Sequence, residues 1–94
     1  MQPPSVSLKI ISFVPVHYRI GIISDPTCND GIRCERTVPG LPAAYYDIRP
    51  GDVVTRINSL SFTSTFAHNR TAITAEMRRC VRLKRMVTVH VAAG

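Results

Sequence analysis

Two stretches of the chain alternate between apolar and polar residues, and a third repeats at helical spacing. Val6, Leu8 and Ile10 alternate with Ser5, Ser7 and Lys9, the period of a strand buried on one face. Ile11 to Val16 is an apolar run closed by Pro15, and Arg19 to Ser24 reads as a second strand. Asp25-Pro26 and Asn29-Asp30-Gly31 supply turn chemistry, because Asn, Asp and Gly tolerate positive φ. Ile32 to Val38 then forms a third strand, paired with the second as a hairpin, and Pro39-Gly40 ends it. Pro42-Ala43-Ala44-Tyr45-Tyr46 opens with a helix-starting proline and has room for a turn or two. Both tyrosines are expected as half-buried cover for it.

Arg49-Pro50-Gly51-Asp52 is a tight turn, with Val53 to Ile57 as a fourth strand. The Ser/Thr-rich stretch from Ser59 to Thr65 holds Leu60 and Phe62, which fits a short edge strand and a loop. Ile73, Met77, Cys80 and Val81 then recur on one helical stripe, with Arg78, Arg79 and Arg82 off it. Asn69 or Thr71 is the expected cap of this helix. Val87, Val89 and Val91 alternate with Thr88 and His90 as a final strand. The expectation is one α+β domain over 1–94 with 1–4 frayed: a partly closed antiparallel β-sandwich of five or six strands with two helices.

A chain of 94 residues is one domain with little core to spare for a cofactor, and none is expected. No apolar run reaches the ~18 residues of a membrane span, and Met1-Gln2-Pro3-Pro4 lacks the charged start of a secretory signal. Cys28, Cys34 and Cys80 are an odd set expected as free thiols in a reducing compartment. A Cys28–Cys34 bond across the turn is geometrically conceivable. His17, His68 and His90 are isolated from one another and from the cysteines, which argues against metal ligation.

Charge is unevenly spread. Residues 1–52 are balanced, whereas residues 53–94 set seven basic residues against Glu76 alone, so the net +6 lies entirely in the second part. Arg78, Arg79, Arg82, Lys84 and Arg85 concentrate it at the end of the last helix, where the helix dipole also favours cations. This patch reads as a solvated helix end or as a surface for acidic lipid or protein. Nucleic acid is disfavoured, because no aromatic residue follows Phe66 to stack on bases. No nucleophile sits on a glycine elbow and no carboxylate pair is suggested, so catalysis is not expected.

Element order and turn residues together resemble the PDZ family over nearly the whole chain. Arg19-Ile20-Gly21-Ile22 is similar to that family's Gly-Leu-Gly-Phe carboxylate loop. Pro39-Gly40-Leu41-Pro42-Ala43-Ala44 looks like its Pro-Gly-Gly-Pro-Ala-Ala, and Arg49-Pro50-Gly51-Asp52 with Ile57-Asn58 looks like its Gly-Asp…Val-Asn-Gly. The order is that of the animal-type, unpermuted form. Arg19 stands where the family has its first glycine, and Ser59 where glycine follows the asparagine.

The resemblance implies a module that captures the extended C-terminal peptide of a partner by adding it as a strand beside the second strand. The amides of Ile20, Gly21 and Ile22 would hold the terminal carboxylate, with Gly21 allowing close backbone approach. Ile23 and Ser24 would continue the pairing, and Ile20, Ile22, Thr74 and Met77 would receive the terminal apolar side chain. Arg70 is the first helical position facing the groove, with His68 as the alternative register. His17, beside the loop, is either a donor to the ligand carboxylate or simply exposed. Such modules are segments of scaffold or adaptor proteins, which implies a cytoplasmic setting at a membrane or cytoskeletal scaffold.

Overall fold

A computed structural model describes residues 8–93. Ser5, Val6, Ser7 and the segment 1–4 expected to fray lie outside the described residues. Strands β1 (Leu8–Phe13), β2 (Ile22–Ser24), β3 (Ile32–Thr37), β4 (Val53–Ile57), β5 (Leu60–Ser61) and β6 (Val87–Ala92) accompany helices α1 (Pro42–Tyr45) and α2 (Phe66–Leu83). The sheet has the order β1-β6-β4-β3-β2, every pairing is antiparallel, and β5 pairs with β4 off that path. The result is a compact α+β domain with six strands and two helices.

Val54, Ile57, Val87, Val89 and Val91 are fully buried; β6 keeps the two-residue period, whereas a register irregularity between Val54 and Arg56 lets β4 bury both Val54 and Ile57, three residues apart. Ile73, Met77 and Cys80 bring the stripe of α2 onto this layer, joined by Ile32 and Phe62. The Arg49–Asp52 turn locks β3 to β4. The Asp52 amide donates to the Arg49 carbonyl at 3.0 Å, while Gly51, at φ 94°, donates to the Cys34 carbonyl. Pro then Gly at the two central positions is the chemistry that a type II turn demands.

The first strand presents the opposite face from the one expected. Leu8 and Ile10 are 74% and 65% exposed, while Ile11 and Phe13 enter the core. Strand parity is all-or-none, and the odd set has the stronger anchors. Phe13 stacks on Tyr46 with ring centroids 4.9 Å apart, and Lys9 reaches the Asp47 carbonyl at 2.8 Å and Asp52 at 3.7 Å.

The second strand begins three residues later than its apolar pattern suggests. The Ile20 and Gly21 carbonyls are taken by the amides of Ala43 and Val38, so this stretch belongs to a loop seated on α1. Tyr46 is half-buried, but Tyr45 is 80% exposed because α1 is too short to turn both rings inward.

Helix α2 also starts earlier than expected. Thr65 is its cap, accepting from the His68 amide, and Asn69 lies inside the first turns, 1% exposed. The Asn69 amide group donates to the carbonyls of Asn29 (2.9 Å) and Ser64 (3.1 Å), so it fastens the β2–β3 connection to the helix. At the other end Lys84 adopts the left-handed conformation and the Arg85 amide returns to the Cys80 carbonyl. Cys28, Cys34 and Cys80 are free thiols, the last two buried. Among the described residues, no helix is long and apolar enough to cross a membrane.

Candidate functional site

Strand β2 ends the sheet, and its outer edge faces α2 across a cavity of about 300 Å³. Tyr18, Arg19, Ile20, Gly21, Ile22 and Ile23 line one side, Arg70, Ile73 and Thr74 the helix side, and Val38 completes the wall. The residues named for the carboxylate loop thus lie together with Ile23, Arg70 and Thr74. Met77 does not reach the cavity. It is fully buried beneath, and Ile73, one turn earlier, lines the wall instead. Ser24 lies beyond the lining, with its buried Oγ making no hydrogen bond among the described residues. His68 is exposed and lies outside the lining.

The loop's geometry follows from its glycine. Gly21 has φ 85°, a conformation that costs an L-residue with a side chain about 1–2 kcal/mol. A Cβ there would also sit 2.5 Å from Leu41 Cβ, so the chain's own packing requires glycine whatever the cavity holds. With the Ile20 and Gly21 carbonyls turned to Ala43 and Val38, the amides of these two residues donate no backbone hydrogen bond among the described residues. Two successive amides on a left-handed turn form the kind of concavity that binds anions.

The helix wall adds positive charge. One terminal nitrogen of Arg70 (Nη1) is buried with no hydrogen-bond partner among the described residues, and burial pushes the guanidinium below its ordinary pKa. Thr74 and Arg78 follow at intervals of four, continuing the same helix face into a shallow depression with Thr71 and Ala75. Arg78 stands 4.5 Å above the Tyr18 ring, a cation–π contact that ties α2 to the chain just before the loop. Among the described residues, no carboxylate, imidazole or thiol lines the cavity. It offers hydrogen-bond donors and cations around an apolar floor, which suits an acidic group joined to an apolar one.

The basic patch is exposed as a whole: Arg78, Arg79, Arg82, Lys84 and Arg85 all face solvent. Arg79 pairs with Glu76 at 3.2 Å. Sequence reasoning missed Tyr18 and Val38, whose places depend on how loops fold back, and assigned Ile73 wholly to the core. It also missed a larger apolar groove of about 510 Å³, in which Phe13, Val14, Pro15, Val16 and His17 face Pro39–Pro42 and Ala44–Tyr46. His17 lines this groove and is absent from the β2–α2 cavity. No protein-family model matches the chain, and no curated protein matches it significantly.

Proposed function

We propose that this chain is a PDZ-like interaction domain that captures the C-terminal peptide of another protein in the groove between β2 and α2. The observation that carries the reading is the pair of amides at Ile20 and Gly21, which donate no backbone hydrogen bond among the described residues and lie at one end of an apolar cavity beside an open strand edge. A peptide added along β2 would pair its backbone with Ile22–Ser24, which gives affinity without regard to sequence. Its terminal carboxylate would meet the loop amides, and its last apolar side chain would enter between Ile20, Ile22, Ile73 and Thr74. The resemblance in element order and turn residues supports the same mode, with no covalent chemistry and no cofactor.

Arg70 gives the reading its selectivity. One of its terminal nitrogens is buried with no hydrogen-bond partner among the described residues, and it stands on the helix wall where a ligand residue two before the terminus would face it. Asp or Glu is the expected choice there. The deciding experiment is calorimetry with a peptide ending in Glu-X-Val, as free acid and as amide. Charge-assisted hydrogen bonds are about twice as strong as neutral ones, so amidation should remove most of the affinity. Equal affinity for the two forms would refute carboxylate capture.

A further inference from the structure

A second surface lies outside the peptide groove. Val14 and Val16 are 55% and 78% exposed in the connection between β1 and β2, and Tyr45 stands beside them, on the rim of the 510 Å³ apolar groove. Aliphatic side chains this exposed, at alternate positions around a proline, do nothing for the core. The same connection ends at Tyr18, whose ring is covered by Arg78. That contact sets the apolar loop against the start of the basic stretch of α2, and Arg82 lies on the same helix face one turn on. Arg78, Arg82, Lys84 and Arg85 have no acidic partner among the described residues, since Glu76 is taken by Arg79 and by Asn58. The net charge of +6 therefore has its densest, least compensated part beside the most exposed apolar loop.

We propose that the Val14–Tyr18 connection and the basic end of α2 together dock on an anionic lipid bilayer. Peripheral binding grows with buried apolar area plus attraction to anionic headgroups, and neither alone suffices for stable attachment. Here Val14, Val16 and Tyr45 provide the first and the α2 cations the second. The arrangement suits a bilayer better than nucleic acid. The protruding groups are mostly aliphatic, and Tyr18, the aromatic ring nearest the cations, already has its face occupied by Arg78. The proposal does not depend on the groove's holding a peptide.

The chain has no tryptophan, so Val16→Trp places a single fluorescent reporter in the loop. The probe is vesicles of phosphatidylcholine with and without phosphatidylserine, at low and physiological salt. Expected are flotation with the serine-lipid vesicles only, a blue shift of the reporter's emission on binding, and weakening as salt rises. Each basic residue near an anionic surface contributes enough that Arg78→Gln with Arg82→Gln should lower partitioning roughly 30-fold. Val14→Ser with Val16→Ser, both at exposed positions, should lower it as well while leaving the melting curve unchanged. Three results would overturn the proposal: no binding of the unaltered protein at low salt, binding without a blue shift, or displacement by single-stranded oligonucleotide at matched phosphate concentration. The last would make the face a nucleic-acid surface.

Discussion

Replacing Arg70 with methionine should make the ligand-free domain more stable and a poorer binder. One guanidinium nitrogen is buried with no partner among the described residues, whereas the rest of the half-buried side chain still reaches solvent. An unsatisfied buried donor costs about 1–3 kcal/mol, and partial exposure places this one near the lower end, about 1 kcal/mol. Methionine keeps the length and most of the aliphatic stem, has nearly the same helix propensity, and leaves nothing to desolvate. For a domain of this size a gain of about 1 kcal/mol raises the melting temperature by about 4–8 °C. The urea midpoint should rise with an unchanged slope, since the surface exposed on unfolding barely differs. Affinity for a peptide with Glu two residues before its end should fall by about 1.5–3 kcal/mol, roughly 10- to 150-fold, the range for a hydrogen bond to a charged group. Arg70→Lys should keep the preference for acid in weakened form, and Arg70→Glu should reverse it. A methionine variant that melts at or below the parent temperature refutes the argument, because Arg70 would then be a structural donor rather than a cation held for a ligand.

Asn69→Leu should cost about 2–4 kcal/mol by stranding the Asn29 and Ser64 carbonyls, lowering the melting temperature by more than about 8 °C; a smaller loss would mean that water replaces the amide. Gly21→Ala should destabilise the domain by at least about 2 kcal/mol through positive φ and the Leu41 clash, and an unchanged denaturation midpoint would contradict that geometry. In a thiol-reagent assay Cys28 should react fast, with Cys34 and Cys80 reacting only as the domain opens. Burial, and secondarily Asp52, push the Cys34 thiol pKa up. Its contribution to stability is therefore complete below the ordinary thiol pKa and is lost as pH rises through the raised one. Cys34→Ser should flatten the alkaline limb of a stability–pH curve, and an unaltered limb would assign it to other groups.

Legibility from sequence tracked how local the deciding interaction was. Strand β6 could be read directly, because Val87, Val89 and Val91 obey a strict two-residue period and their face admits one choice, whereas the irregularity between Val54 and Arg56 that buries both Val54 and Ile57 in β4 has no such signature. The stripe Ile73–Met77–Cys80 was equally plain. The orientation of β1 was not, since Leu8, Ile10, Ile11 and Phe13 offer apolar residues of both parities; Tyr46 and Asp52, distant in sequence, decide between them. The start of α2 was misplaced because Asn69 looks like a cap until its side chain is seen gripping a loop forty residues away. In the cavity the loop residues and Arg70 were foreseen, whereas Val38 and Tyr18 arrive through carbonyl contacts and a cation–π pair that no spacing encodes.

Strands β1 and β6 lie side by side, with Leu8 opposite Ala92. The polypeptide therefore enters and leaves the described domain at neighbouring points on one flank. Spliced into a surface loop of a host protein, it would close that loop with little stretch and leave the host's fold undisturbed. The same adjacency suits circular permutation: a short glycine-rich bridge could link β6 to β1, with new ends opened in the Asp25–Gly31 connection. Such a permutant would turn the longest-range strand pairing into a local hairpin, and it should fold faster than the parent because less of the chain must be closed into a loop before β1 can dock.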